Sequence, residues 1–137
     1  MTIKPYLFFS GRADEAIAFY QKALGAEVLF LLRYDESPEP PPPGVLAPGW
    51  EHKIMHSSIK IGDSEVFLSD GCGNLSPGFN GFGVSIEAKS AAEAERIYGA
   101  LADGGEARMP LGETFFAVSF GMAVDRFGVL WMVVVPK

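Results

Sequence analysis

The residues best suited to metal or proton chemistry in this chain are its two histidines, His52 and His56. Imidazole titrates near neutral pH and is a common metal ligand, so either ring could bind a metal or move a proton. On a helix, a spacing of four would place both rings on one face. The flanking residues are rich in Ile and Met and predict a strand instead. Four residues along a strand span about 13 Å, so the two rings cannot share one metal ion.

Two carboxylates and a thiol are the other candidate groups. Glu113 precedes two phenylalanines, and desolvation beside their rings would raise its pKa toward that of a general base. The alternative is an exposed carboxylate in a hairpin. Asp70 ends an apolar strand before Gly71, where it either faces a ligand or caps the loop. Cys72 has no neighbouring cation in sequence, so we expect an unreactive thiol.

Composition excludes several classes of partner. The chain has 137 residues and a formal net charge of -6, so phosphate backbones and anionic lipids would be repelled, and we expect no nucleic acid and no membrane as partner. It contains no apolar run of about 18 residues and no signal-peptide pattern, which predicts a cytoplasmic protein. Its one cysteine excludes an internal disulfide and a cysteine-based metal cluster.

The elements that must position these groups follow one order twice: strand, helix and three strands. In the first half, strands are predicted at 3–10, 26–34, 53–61 and 65–70, and a helix at 12–24 that ends at Gly25. In the second half, strands are predicted at 82–88, 106–110, 115–124 and 129–135, and a helix opened by the capping box Ser90 to Glu93. Glu15, Ala16 and Tyr20 of the first helix recur as Glu93, Ala94 and Tyr98 at one constant offset.

Two segments are predicted loops. Residues 37–50 are rich in proline, which cannot donate to a strand ladder, so they predict an extended surface loop that is either a stiff connector or a flap over a pocket. Residues 71–81 are rich in Gly, Asn, Ser and Pro. On the 53–61 strand, alternation places Met55, Ser57, Ile59 and Ile61 on a core face and Ile54, His56, Ser58 and Lys60 on a more polar face that would line a ligand site.

The residues carrying a family resemblance extend over nearly the whole chain. They are the segments 5–9, 15–16, 19–20, 24–26, 68–70, 109–111, 113–116, 120–121 and 125–128, with Gly11, His56, Gly62 and Trp131. Together they resemble the vicinal oxygen chelate superfamily of glyoxalases, bleomycin-resistance proteins and dioxygenases, and within it the PhnB-like branch, some members of which carry a 3-demethylubiquinone methyltransferase label. The resemblance implies an α+β fold in which two βαβββ modules form a cupped, partly closed β-barrel. It implies one glyoxalase-like domain over 1–137, with module one at about 1–71 and module two at about 80–137.

The resemblance also implies positions for a divalent metal, on the first, fourth, fifth and eighth strands. These positions fall at Pro5, at Leu68 or Asp70, at Val84 and at Met132. Most of these side chains are not ligands for such an ion, so we expect no metal and no other cofactor. Nor does the chain contain the doubly wound βαβ pattern of a methyltransferase, so we expect no methyl transfer.

Three functional hypotheses follow from this resemblance. The first is a metal-free protein that binds a small, partly apolar or aromatic ligand. The second is a lyase or isomerase of the glyoxalase type, with His56, Glu113 or Asp70 as base. The third is a structural module whose cup is filled. No catalytic residue is assigned; the candidate ligand-binding residues are Leu7, His56, Asp70, Glu113, Phe116 and Met132. Superfamily members often form their cups across a dimer, so we expect a homodimer.

Overall fold

The computed structural model describes residues 1–73 and 78–137, which form two compact units within Met1–Pro77 and Gly78–Lys137. The first unit contains β1 (Tyr6–Phe8), α1 (Ala13–Leu24), β2 (Glu27–Arg33), β3 (Ile54–Ile61) and β4 (Ser64–Ser69). The second contains β5 (Val84–Glu87), α2 (Ala91–Ala102), β6 (Glu106–Gly112), β7 (Ala117–Val124) and β8 (Leu130–Pro136). The predicted α+β fold of two βαβββ modules is confirmed. Part of the predicted loop at 71–81 lies outside the described residues.

Both units arrange their strands in the same way. The first sheet has the order β1-β4-β3-β2, and the second has the order β5-β8-β7-β6. In each, the first strand of the unit pairs in parallel with the last, and the other neighbours are antiparallel. Each sheet is mixed, has four strands and does not close into a barrel within its own unit. The order of elements that is repeated in the sequence therefore corresponds to two sheets with the same strand order.

Local sequence signals determine where the two helices begin and end. The apolar stripe of α1 buries Ala16, Ile17 and Tyr20, and Gly25 ends this helix in the left-handed conformation at φ 67°. In α2 the Ser90 hydroxyl accepts a hydrogen bond from the Glu93 backbone N–H at 3.1 Å. Neither helix is long and apolar enough to cross a membrane, and the same holds for every helix in 1–73 and 78–137.

Several strands are shorter than predicted, among them β1, β5 and β7, and for β1 and β7 the backbone shows a physical reason. β1 begins only at Tyr6, because Pro5 has no N–H to donate to a ladder, and Ile3 is 91% exposed. β7 begins at Ala117 rather than at residue 115. There, the Thr114 hydroxyl accepts the Ala117 N–H at 2.9 Å, which holds a turn where the prediction placed extended chain.

The proline-rich segment 37–50 contains no helix or strand, as predicted. Its C-terminal part is hydrogen-bonded to the residues that follow β4. Ala47 donates its N–H to the Cys72 carbonyl at 2.8 Å, and the Trp50 indole N–H donates to the Gly71 carbonyl at 3.0 Å. The ammonium group of Lys53 lies 5.7 Å from the centre of the Trp50 ring. The role of this segment as a flap stays a prediction.

Candidate functional site

A cluster of aromatic side chains occupies one face of the first sheet and forms the candidate site. On β1, Tyr6 and Phe8 are each 40% exposed, whereas Leu7 between them is 2% exposed. Because side chains alternate along a strand, Tyr6 and Phe8 share the face opposite Leu7. Phe30 of β2, His56 of β3 and Phe67 of β4 contact this pair or one another. We call Tyr6, Phe8, Phe30, His56 and Phe67 the aromatic face.

His56 lies at the centre of the aromatic face. Its ring centre is 5.0 Å from that of Phe67, 5.4 Å from that of Tyr6 and 5.9 Å from that of Phe30. Tyr6 in turn stacks on Phe8, with ring centres 4.9 Å apart and an interplanar angle of 7°. The rings form a partly exposed apolar surface around one imidazole. Such a surface suits a flat ligand with a polar substituent.

The imidazole of His56 is oriented by a hydrogen bond to Tyr6. The Tyr6 hydroxyl oxygen is 2.7 Å from His56 Nδ1. Desolvation raises the pKa of the Tyr6 phenol, partly offset by the Ser69 side chain, so the phenol keeps its proton and can donate it to Nδ1. In that arrangement the neutral ring carries its own proton on Nε2. His56 Nε2 makes no hydrogen bond to any residue that the structure describes, which leaves it available to a ligand.

Charged groups border the aromatic face on one side. The Glu65 carboxylate accepts hydrogen bonds from the Lys4 ammonium and the Ser58 hydroxyl. These two bonds lower the pKa of Glu65, first through Lys4 and then through Ser58. Lys4 also lies 5.2 Å from the centre of the Phe67 ring. The apolar surface therefore ends at a paired cation and anion.

Asp70 is bound to backbone rather than facing a ligand. Its Oδ1 accepts the N–H groups of Gly11 at 2.8 Å and Ala13 at 2.9 Å, and its Oδ2 accepts the N–H of Ile54 at 2.9 Å. The residue is 1% exposed. The prediction that Asp70 would either face a ligand or cap the following loop is therefore modified: its carboxylate caps the β1–α1 turn, the start of α1 and the start of β3. Ile54, which the alternation placed on the polar face, is fully buried, because the β2–β3 pairing shifts register beside it and its N–H is committed to Asp70.

The other predicted residues of the site fall in separate places. Leu7 lies on the face of the first sheet opposite His56 and is buried. Glu113 is exposed and forms an ion pair with Lys137 at 3.2 Å, so the structure supports the interpretation of an exposed carboxylate. Phe116 and Met132 belong to the second unit. The structure therefore groups only His56, of the six, with the aromatic face.

Phe116 and Met132 belong to a smaller apolar surface in the second unit. The Phe116 ring contacts that of Phe120, with centres 5.3 Å apart. Met132 pairs with Met122 across the β7–β8 ladder, and both are half-buried while their strand neighbours are buried. This surface contains no imidazole, since both histidines lie in the first unit.

Four residues of the aromatic face were missing from the predicted set: Tyr6, Phe8, Phe30 and Phe67. One signal could have located them. Once His56 is assigned to the ligand face, the residues opposite it on the neighbouring strands lie on the same face. Along each of those strands, every second residue then also lies on that face. On β1 the prediction chose Leu7, whose side chain lies on the buried face, whereas its neighbours Tyr6 and Phe8 lie on the aromatic face.

The positions at which the resemblance implies a metal do not suit one. Pro5, Val84 and Met132 offer no hard or borderline donor. Leu68 is fully buried, and Asp70 already accepts three backbone N–H groups. Within 1–73 and 78–137, no three His, Cys, Asp or Glu side chains are grouped so that they could hold a metal ion. The residues at these positions therefore do not fit a divalent metal ion.

Neither sheet has the doubly wound parallel order, with helices on both faces, that is typical of nucleotide-binding domains. Each unit has one α-helix and a mixed four-stranded sheet.

Comparison with known proteins gives a consistent family match. The model of the family described as 3-demethylubiquinone-9 3-methyltransferase matches residues 1–134. Protein YjdN of Escherichia coli K12 is 35% identical over 144 residues, covering 100% of this chain and 97% of that protein. The crystal structure of PA1353 from Pseudomonas aeruginosa is 42% identical with a TM-score of 0.86, over 99% of this chain and 98% of that one.

Two further structures support the predicted resemblance. A Bacillus cereus PhnB protein, described as a putative 3-demethylubiquinone-9 3-methyltransferase, is 26% identical with a TM-score of 0.77, over 98% of this chain and 99% of that one. A glyoxylase/bleomycin resistance protein/dioxygenase domain from Frankia shares the fold at a TM-score of 0.65 and 11% identity, over 100% of this chain and 98% of that one. The predicted resemblance to the PhnB-like branch of this fold is confirmed.

Proposed function

Because the chain belongs to the 3-demethylubiquinone-9 3-methyltransferase family and has a glyoxalase-like fold, we propose that it is a small-molecule-binding protein of the glyoxalase/bleomycin-resistance type. The observation that carries the proposal is the aromatic face with His56 at its centre. We do not propose methyl transfer, since neither sheet has the doubly wound parallel order of a typical nucleotide-binding domain.

The chemistry of the aromatic face defines the class of ligand. Tyr6, Phe8, Phe30 and Phe67 offer a partly exposed apolar surface that a flat ring can cover. With its proton on Nε2, His56 donates one hydrogen bond, so the ligand should carry an acceptor such as a carbonyl oxygen. The ligand is therefore a planar, largely apolar compound with a carbonyl group near one edge.

Coumarin, a flat bicyclic carbonyl compound, is a suitable probe, with naphthalene as the analogue that lacks the carbonyl. The matched variants are His56→Phe and His52→Phe. His52 is 86% exposed at its side chain and pairs with Asp35, so its replacement leaves the aromatic face intact. Coumarin binding is measured by titration with amide chemical shifts recorded for the whole chain.

We expect coumarin to shift the amides of β1, β3 and β4, and to bind more tightly than naphthalene. His56→Phe should weaken coumarin binding about tenfold, the value of one net hydrogen bond of roughly 1.4 kcal/mol, and leave naphthalene binding unchanged. His52→Phe should bind both as the wild type does. Shifts confined to the second unit, or equal coumarin affinity in His56→Phe, would contradict the proposal.

A second candidate is an enzyme of the lyase or isomerase type, and the Tyr6–His56 hydrogen bond at 2.7 Å favours it. In the tautomer with Nδ1–H donating to the Tyr6 oxygen, the Nε2 lone pair of His56 is free and can take a proton from a carbon next to a carbonyl group. Asp70 and Glu113 are weaker candidates, because one is bound to backbone and the other is ion-paired at the surface.

Benzoin incubated with the protein in D₂O tests whether the protein catalyses proton removal. An enzyme would speed deuterium exchange at the carbinol C–H, and His56→Gln would abolish the effect. Exchange at the buffer rate rules this candidate out.

We also propose a homodimer in the cytoplasm. β2 is an edge strand of the first sheet, and Val28, Leu29 and Phe30 on it are 40%, 54% and 50% exposed. Such an apolar edge favours association with another chain. Sedimentation equilibrium should give a dimer, and Leu29→Lys should raise its dissociation constant. A monomer at high concentration contradicts the proposed dimer.

A further inference from the structure

The second unit contains an open pocket that is separate from the aromatic face. Its volume is about 390 Å³, within the range of small-molecule sites, and all of its lining residues lie between 79 and 130. Phe79 and Phe82 form an aromatic pair with ring centres 6.3 Å apart, and Val124 and Leu130 add aliphatic surface. The space and the apolar lining suit a body of one or two fused rings.

One cation lines this pocket. Arg108 of β6 contributes to the lining, and its side chain is 52% exposed. Its contact with Glu106 is 3.4 Å long, beyond the usual range for a strong charge-assisted hydrogen bond. The guanidinium can therefore exchange this weak partner for a carboxylate, which it would bind through two parallel N–H groups. Asn80, also in the lining, offers a further amide donor.

From this arrangement we propose that the pocket binds a small aromatic monocarboxylate. The rings would lie against Phe79 and Phe82, and the carboxylate would pair with Arg108. The chain has a net charge of -6, which on average repels anions. Arg108 beside the apolar pocket provides a local attraction for an anionic ligand. Of the residues that the structure describes, those lining this pocket all belong to the second unit, whereas the aromatic face belongs to the first.

The test uses 2-naphthoate and its uncharged analogue 2-naphthamide as probes of the full chain. Arg108→Gln removes the cation, and Arg96→Gln is the matched control on the exposed side of α2. Phe82→Ala removes part of the aromatic surface, and Phe115→Ala is its control, since Phe115 is 93% exposed and outside the pocket. Affinity is measured by calorimetry, and the bound site is located by amide chemical shifts.

We expect 2-naphthoate to bind up to about fivefold more tightly than 2-naphthamide, as for a partly exposed charge pair. Arg108→Gln should remove this difference, Phe82→Ala should weaken both probes by a similar factor, and neither control should change either affinity. Shifts should centre on Gly81, Val124, Gly128 and Leu130.

Three outcomes would overturn the pocket proposal: no binding of 2-naphthoate at millimolar concentration, a preference for the acid that survives Arg108→Gln, or shifts confined to the first unit. None of the described residues that line the pocket belongs to the aromatic face, so failure of the aromatic face to bind coumarin is a separate result.

Discussion

Replacing Asp70 by asparagine distinguishes a cap from a ligand-binding group. The carboxylate joins three parts of the first unit by accepting N–H groups at the β1–α1 turn, at the start of α1 and at the start of β3. Asparagine has nearly the same shape but only one acceptor oxygen. In the most favourable orientation it keeps the bonds from Gly11 and Ala13 and turns an NH₂ group toward the N–H of Ile54.

The expected loss of stability follows from these three contacts. A hydrogen bond to a charged group contributes about 1.5–3 kcal/mol, and one is lost while two become neutral. We therefore expect Asp70→Asn to lower the free energy of unfolding by about 3–5 kcal/mol, and Asp70→Ala by more, since alanine leaves all three buried N–H groups without a partner. With an m-value of about 2 kcal/mol per molar urea, the asparagine variant should unfold at a midpoint lower by about 1.5–2.5 M.

The assay is urea unfolding followed by fluorescence, together with hydrogen exchange of individual amides. The amides of Gly11, Ala13 and Ile54 should exchange faster in Asp70→Asn, because they lose or weaken the bonds that protect them. Asp63→Asn, in the exposed turn between β3 and β4, is the matched control and should change stability by less than about 0.5 kcal/mol. If Asp70→Asn were as stable as the control but bound coumarin more weakly, Asp70 would be a ligand-binding residue and the cap assignment would be refuted.

Two further predictions concern the conformation of glycines and an ion pair. Gly73→Ala should destabilise the protein by about 2–3 kcal/mol in urea unfolding, since Gly73 has φ +85° and an added Cβ would lie 2.4 Å from that of Ala47. Gly99→Ala, with open space in α2, should instead stabilise by about 0.5–1 kcal/mol, and equal effects would contradict this reasoning. Arg33 lowers the pKa of Asp14 by hydrogen bonding, so the pair should stabilise the fold by up to about 1 kcal/mol above pH 4 and lose that contribution as the pH falls through the lowered pKa. A difference between wild type and Asp14→Asn that is independent of pH would contradict it.

The parts of the fold that depend on local signals could be predicted from the sequence. Gly25 ends α1 because only a left-handed residue fits there, and Ser90 opens α2 because its hydroxyl reaches a free N–H. The order of the elements follows from apolar periodicity in the same way. Each of these signals lies within a few residues of the feature that it predicts.

The site could be predicted only in part, because its residues meet across strands that are far apart in sequence. Residues 6–9 are all aromatic or aliphatic, so the pattern of β1 does not reveal which of them face the core. The pairing of β1 with β4 determines which alternate residues of β1 face the core. This pairing places Tyr6, rather than Leu7, beside His56. The partners of Asp70 lie up to 59 residues away and leave no trace in its sequence neighbours.

The parallel pairing of β1 with β4 has a consequence for synthesis on the ribosome. Tyr6 lies opposite Phe67, and the loop that brings the two together can close only after the last strand of the unit has been made. Contacts of such long sequence separation form late and slowly. At about 5–20 residues per second, the newly made Tyr6 and Phe8 wait several seconds or more without their partner strand. During this interval the nascent chain exposes an aromatic segment, and this is the stage at which a chaperone would bind it.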